Sequence, residues 1–380
     1  MKQITLFSIL SILMMQSCVN QEASNDVFKD VPIVINIDTV KSNPLNSLKF
    51  SHIRYIPLET DEECLIGFAN KILIRDSRIY VADFHKAMAL FVFDMNGKFL
   101  FKIARRGQGV GEYVSFRDFD IQTNGDLYMF DQHRKKILIY NSAGEYLREI
   151  YSDFYFSKFC LVNNRMYWSE LIERGNTFAN LVAYDMTDKR TEFILKDEKF
   201  LHNEGIINFS DYNFYYSPDN TVYYSPKFSE IIYSIGENGV YPAIGVKNLK
   251  IPPKHIIDGW LQENDIFKRS GLIKNSKYFI ENAYIYETDK YITFACVKDV
   301  LPDVLLYNKC SKSVRSSWIS DYFYGVGIDR IKGSTGKEFF GVIAFNPDNE
   351  SHRKILASRE ELKNWNEEDN PVIVFFNPDM

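Results

Sequence analysis

From Phe68 to Ile150 the apolar positions fall into runs of four to seven residues, alternating with polar residues or wholly apolar, with short polar breaks between them. Runs of this length fit strands and are too short for helices. The first set is Lys71 to Arg75, Ile79 to Ala82, Leu90 to Phe93 and Phe99 to Ile103, broken at Asp76-Ser77, at Asp83 to Lys86 and at Met95-Asn96-Gly97. The pattern then repeats. IYVADFHKAMALFVFDMNGKFL, Ile79 to Leu100, is followed by LYMFDQHRKKILIYNSAGEYL, Leu127 to Leu147, so that Asp83 maps to Asp131 and Gly97 to Gly144. A period of roughly 40 to 50 residues holding several short strands marks a β-propeller blade. Asn96-Gly97 predicts a tight hairpin whose two central residues both have positive φ. One such four-stranded meander cannot bury both of its faces, so it has to stack on others like itself.

The rhythm extends along the chain. His52 to Leu58 is expected to be an N-terminal clasp that completes the last blade, and Val31 to Ile37 is a further strand-like run. Blade one spans about Gly67 to Ala104, blade two Phe116 to Ile150, blade three Phe156 to Lys196 and blade four Ile207 to Val246. Pro252-Pro253 then stops any strand, and His255 to Arg269 has helical spacing, which predicts an inserted helix over one mouth of the ring. Blade five covers Tyr278 to Ile319. The last blade starts near Tyr324, contains Phe339 to Phe345, is interrupted by a helix over Ser351 to Trp365 with Ser351 as N-cap, and ends on Val372 to Phe376. The expected fold is all-β, a six-bladed β-propeller of four-stranded antiparallel blades with one or two inserted helices, occupying residues 36–380.

The segment Ile79-Tyr80-Val81-Ala82-Asp83, then Val92-Phe93-Asp94 with Gly97-Lys98-Phe99-Leu100, and then Gly107 to Tyr113, resembles a lipoprotein family known only as six-bladed β-propellers, related to NHL-repeat propellers. Val110 stands where members usually carry Pro. The resemblance covers about Arg54 to Ile150 and returns at Asp369 to Val374. It implies a propeller held by lipid in the outer membrane of a Gram-negative envelope, on a side left open, and it implies no substrate.

The N-terminus agrees with that. Lys2 precedes an apolar run of about twelve residues, Ile4 to Met15, which suits a signal peptide and is too short to span a membrane. Cys18 follows directly and resembles a lipobox cysteine, the expected lipid anchor after removal of residues 1–17. Residues 18–35 read as a tether. A net charge of −5 without a basic face disfavours nucleic acid, and an aromatic content of 15% suits half-buried sheet surfaces. None of the cysteines forms a Cys-x-x-Cys pair, so zinc has no support; a bridge between Cys296 and Cys310 is one pairing that an oxidising compartment would permit.

Chemistry is less legible. Asp83 and Asp131 are each followed two residues later by a histidine, His85 and His133, but a repeated turn aspartate more often accepts backbone N–H bonds than binds metal. Gly107 to Tyr113 lacks the Lys-Ser/Thr of a phosphate loop and reads as an inter-blade crossover. Arg105 and Arg106 beside it are candidates for an anion-attracting patch. Asp118, Asp120, Asp211 and Asp329, near innermost strands, are the carboxylates that calcium in the tunnel would need. No nucleophile elbow and no His-Glu-x-x-His occurs. The expected function is non-enzymatic binding of a protein, peptide or glycan, with no resident cofactor. The alternative is a calcium-dependent hydrolase or lyase in the tunnel.

Overall fold

Each meander leaves two apolar faces, and the chain covers them by packing six meanders side by side around an axis. The computed structural model describes residues 27–40, 49–152, 156, 158–169, 179–196, 213–297, 303–318, 326–328, 330–344, 346 and 348–379. Two strands, β1 (Ile33–Asn36) and β2 (Lys49–Pro57), precede the first blade. Blade one is β3 (Lys71–Arg75), β4 (Arg78–Asp83), β5 (Ala89–Asp94) and β6 (Phe99–Ile103); blade two is β7 (Asp118–Ile121), β8 (Leu127–Asp131), β9 (Lys136–Tyr140) and β10 (Tyr146–Tyr151). Blade three is β11 (Lys158–Val162), β12 (Arg165–Ser169), β13 (Ala179–Asp185) and β14 (Thr191–Lys196). Blade four holds β15 (Phe214–Tyr216), β16 (Val222–Tyr224), β17 (Ile231–Gly236) and β18 (Gly239–Lys247). Blade five is β19 (Glu281–Glu287), β20 (Tyr291–Val297), β21 (Asp303–Asn308) and β22 (Val314–Trp318). Blade six combines β23 (Ile331–Ser334), β24 (Phe339–Ile343) and β25 (Val372–Asp379) with β2 from the other end of the chain.

The clasp is therefore present. β2 pairs antiparallel with β25, Tyr55 opposite Val374 and Pro57 opposite Val372, and forms the outer strand of blade six. β1 differs from the expected tether. It adds in parallel to the outer edge of blade four, Ile33 opposite Ile244 and Asn36 opposite Lys247, making a five-stranded sheet. The folded part thus begins before residue 36, because Ile35 is buried in the core and Val31 lies against Gly245.

Period-two alternation divides each blade between its neighbours. Tyr80, Ala82, Leu90 and Val92 pack with Phe119, Leu127 and Met129 of blade two. Ile79, Val81, Phe91 and Phe93 pack with Phe340, Ile373 and Phe375 of blade six, which closes the ring. The Asn96-Gly97 hairpin departs from the expected turn: Gly97 alone has positive φ, +82°, and the Asp94 carboxylate accepts from the backbone N–H groups of Asn96 and Lys98. This is a longer loop closed by one left-handed residue. A Cβ at Gly97 would lie 2.1 Å from the Pro57 carbonyl oxygen, so glycine also permits the hairpin to seat against the end of β2.

Asp83 and Asp131 have the expected structural role. The Asp83 carboxylate accepts from the backbone N–H groups of Gly67, Phe68, His85, Lys86 and Ala87, tying the entry to blade one to the β4–β5 loop. Asp131 accepts from the N–H groups of Val114, Ser115 and Arg134 and from the Ser115 hydroxyl at the matching place in blade two. Burial pushes the Asp83 carboxyl up, but the amides of Lys86, Phe68, Ala87 and His85 together outweigh it and hold the group below its ordinary value of 3.8. A carboxylate depressed on folding contributes stability that is present above the unfolded value and is lost as pH falls through the lower folded one. In acid titrations followed by circular dichroism, Asp83→Asn is expected to lower stability at neutral pH and to flatten the decline below about pH 4. An unchanged acid limb would remove Asp83 as a contributor.

The helices differ in detail from the expected ones. One predicted helix is two, α1 (Lys254–Leu261) and α2 (Ile266–Asn275), because the Asp265 side chain caps a second start by accepting from the N–H groups of Phe267 and Lys268. In the second insertion α3 (Glu350–Ser358) includes Ser351, and it is the Asn349 side chain that accepts from the His352 N–H. The cysteine pair is also corrected. Cys296 and Cys310 are free; Cys296 is buried opposite Asp303, whereas Cys310 is exposed beyond Asn308, at the other end of β21.

Candidate functional site

The inner strands β3, β7, β11, β15, β19 and β23 surround the axis, and polar groups stitch each to the next. Lys71 and Asp118 are both almost wholly buried; the Lys71 ammonium donates to Asp118 Oδ1 at 2.8 Å and to the Phe119 carbonyl at 2.7 Å. Asp118 Oδ2 accepts from the Phe159 N–H at 3.0 Å, linking blades one, two and three. Asp120 accepts from the N–H groups of Leu161 and Ile121 and from the Tyr216 hydroxyl, which carries the chain of contacts to blade four. Burial raises the Asp120 carboxyl, against the opposing pull of Lys71 and Arg75. Further round, Glu287 Oε2 accepts from Ser217 and Tyr223, Arg330 donates to the Tyr284 hydroxyl, and Lys332 donates to the Asn70 carbonyl.

Along the axis, β3, β15, β23 and Tyr286 border a cavity of about 40 Å³. That is room for about three waters. β15 also reaches β23 across the axis.

Antiparallel topology sends the crossovers from outer to inner strands, and the loops between second and third strands, to one face of the ring. On that upper face, between blades six and one, lies a groove of about 780 Å³. Its lining includes Arg330 and Lys332 at the start of β23 and Lys86 from the β4–β5 loop. Glu367, Glu368 and Asp369, from the loop that enters β25, border it as well. Ile66, Ala69, Val342, Ala344 and Pro371 supply an apolar lining, with exposed Leu65 and Phe68 at the rim. Arg330 is positioned in advance: one guanidinium nitrogen lies 2.6 Å from the Tyr284 hydroxyl, and its carbon is 5.2 Å from the centre of the same ring.

The expected site residues mostly lie elsewhere. Asp118 is engaged by Lys71 and by backbone amides, which makes it a strut of the ring and not a ligand-facing carboxylate. Arg105 and Arg106 are exposed on the Gly107 to Tyr113 crossover, whose shape is set by the Tyr113 N–H donating to the Arg105 carbonyl and by Glu112 accepting from Gly109; neither borders the groove. Asp211, Asp329 and Cys18 lie outside the described residues. Among the described residues no group of three His, Cys, Asp or Glu side chains is placed to hold a metal ion, and no helix is long and apolar enough to cross a membrane. Sequence reasoning missed Arg330, Lys332, Lys86 and the 367–369 carboxylates. Arg330 and Lys332, two apart at the start of a strand and so on one face, were the available signal.

Among solved structures, the chain is similar to a protein described as exported from Bacteroides fragilis, with a TM-score of 0.72 and 19% identity over 92% of this chain and 99% of the other. It is also similar to a member of the DUF4221 family from Bacteroides vulgatus, with a TM-score of 0.54 and 10% identity over 87% and 98%. At these identities the likeness is one of fold. No curated protein matches the sequence. A family model matches residues 31–377, from the segment before β1 to within β25, and the chain therefore belongs to the family described as Domain of unknown function (DUF4934).

Proposed function

We propose that this chain is a non-enzymatic binding propeller of the cell envelope, lipidated at Cys18 and tethered to the outer membrane, that seats a protein, peptide or glycan on its upper face. The observation that carries this reading is the contrast in space among the described residues: a groove of about 780 Å³ opens between blades six and one, while the cavity bordered by β3, β15, β23 and Tyr286 holds about 40 Å³. Ligand sites are concave and combine apolar surface with a few placed polar groups; the groove is concave, with its lining shared about equally between apolar and polar surface. The leader Met1 to Met15 and the cysteine behind it support export and lipidation.

The tunnel-enzyme alternative has less support. Asp118 and Asp120 are already satisfied by Lys71, Tyr216 and backbone amides, and among the described residues the cavity between β3, β15, β23 and Tyr286 is too small for an organic substrate beside a hydrated calcium ion. Binding of the purified protein to arrayed peptides and glycans tests the proposal. The expected result is a ligand whose affinity falls at least about tenfold, ~1.4 kcal/mol, in the variant Arg330→Glu with Lys332→Glu, and is unchanged in Arg105→Glu with Arg106→Glu. A ligand indifferent to the groove variant, or turnover of any arrayed compound that survives it, would overturn the assignment.

A further inference from the structure

A second cavity, of about 380 Å³, lies between blades four and five, bordered by the segments that leave β1 and β18, by the segment that enters β19, and by blade five. Its volume falls within the roughly 300–1,000 Å³ of small-molecule sites. We propose that it holds a medium-chain fatty acid, the carboxylate met by Lys250 and Lys277 and the chain lying against blade five.

The wall on blade five follows from strand register. Cys296 is opposite Asp303, Leu305 comes two residues after Asp303, and Ser316 is opposite Leu305, so Cys296, Leu305 and Ser316 share one face of the blade. Cys296 is buried and its Sγ lies 3.4 Å from Asn282 Oδ1, which leaves the thiol a small, soft surface within the sheet. Buried Phe279 continues the apolar lining toward the centre of the ring. Ile37, Val40 and Leu249, packed on the core from the β1 and β18 exits, supply apolar side chains to the rest of the cavity. Such a lining suits an alkyl chain.

The charged groups select the head. Asp38 Oδ2 accepts from the Asn248 side-chain amide at 2.8 Å, so the carboxylate in the lining already has a partner. Neither Lys250 nor Lys277 makes an ion pair with any described residue. Lys250 Nζ lies 4.6 Å from the centre of the Tyr278 ring, a contact that orients the ammonium without neutralising it. The Phe279 N–H donates to the Lys250 carbonyl at 2.9 Å, which ties the two lysine-bearing segments together beside the cavity. Lys277 has a φ of +57° and directly follows Ser276, the C-cap of α2. Glycine is the usual residue there, and lysine bears backbone strain. Its charge complements the helix C-terminus and borders the cavity as well.

Other small molecules fit less well. A nucleotide calls for ring platforms, and Phe279 is the one aromatic side chain bordering the cavity among the described residues. A sugar would set its hydroxyls against Leu249, Leu305 and Phe279, and a cationic amphiphile would meet the two lysines.

The test is calorimetric titration of the purified protein with decanoate below its micellar concentration, beside 1-decanol, decyltrimethylammonium and acetate. Decanoate is expected to bind once per chain, at least about tenfold more tightly than each of the other three. Lys277→Gly with Lys250→Gln is expected to bring decanoate to the affinity of decanol and to leave decanol unchanged. Glycine relieves the left-handed backbone at residue 277, so this variant is expected to melt like the parent, which separates lost charge from lost fold. Ser316→Phe, which fills the cavity from blade five, is expected to remove both decanoate and decanol. Decanol or decyltrimethylammonium binding as tightly as decanoate, full decanoate affinity in either variant, or no decanoate binding overturns the proposal. Decanoate lost instead in Arg330→Glu with Lys332→Glu would place it in the groove between blades six and one, which overturns this second site and leaves the groove standing.

Discussion

Replacing Lys71 with methionine is expected to destabilise the protein by roughly 3–5 kcal/mol, because it strands the Asp118 charge in a site where both side chains are almost wholly buried. The pair's own contribution is smaller than that figure, since burying two charges has a desolvation cost that their attraction only offsets. The informative comparison is therefore with a double variant, Lys71→Met with Asp118→Asn. The amide oxygen can still accept from the Phe159 N–H, which lies 3.0 Å from Asp118 Oδ2, and position 118 no longer carries a charge. The double variant is expected to recover a substantial part of the loss, a non-additivity that neighbouring residues in one network show. Glu63→Gln serves as the control. Its pairing with Lys102 is largely in solvent, 76% exposed on the Glu63 side, and pairs of that kind contribute under about 1 kcal/mol. Urea unfolding curves measure all three. If Lys71→Met costs no more than Glu63→Gln, the buried pair is not the strut that its geometry indicates.

Ending the chain after Pro371 is expected to abolish cooperative folding altogether. The deletion removes β25, the strand that lies between β24 and β2, and with it the only sheet pairing of β2 among the described residues. Val372, Ile373, Val374, Phe375 and Phe376 are all inaccessible to solvent. At about 1.5–3 kcal/mol for each large buried side chain, their loss is on the order of 10 kcal/mol, comparable with the whole stability of a typical domain. Ile373 and Phe375 also face the blade-one residues Ile79, Val81 and Phe91, so the seam of the ring would open to water. Far-ultraviolet circular dichroism and limited proteolysis of the truncated chain read the outcome. A cooperative melt within a few degrees of the parent's would mean that the ring stays closed without its clasp.

These two predictions draw on features of different legibility. The clasp could be anticipated, because His52 to Leu58 is a strand left over before the first full repeat and Val372 to Phe376 ends a blade one strand short. The pairing of β1 with β18 could not: it joins Ile33 to Ile244 in parallel, and nothing in either segment names a partner some two hundred residues away. The role of Asp83 was readable because most of its hydrogen bonds are local, to His85, Lys86 and Ala87 within four residues. Asp118 was misread as a ligand carboxylate because its partner, Lys71, lies on the previous blade, and a buried ion pair leaves no local pattern.

The meander, its period, the turn aspartates and the stacking of blades were legible along the chain, since alternation and hairpin chemistry act over a few residues and one meander cannot cover its own faces. Where the carboxylates point and where a ligand has room became readable once the blades were in place around the ring. The groove takes its walls from Leu65 to Asn70, Lys86, Arg330 to Lys332 and Glu367 to Asp369, which are far apart in the chain and meet where blade six closes on blade one. Ring closure is a long-range event, and the charges that it gathers belong to no motif.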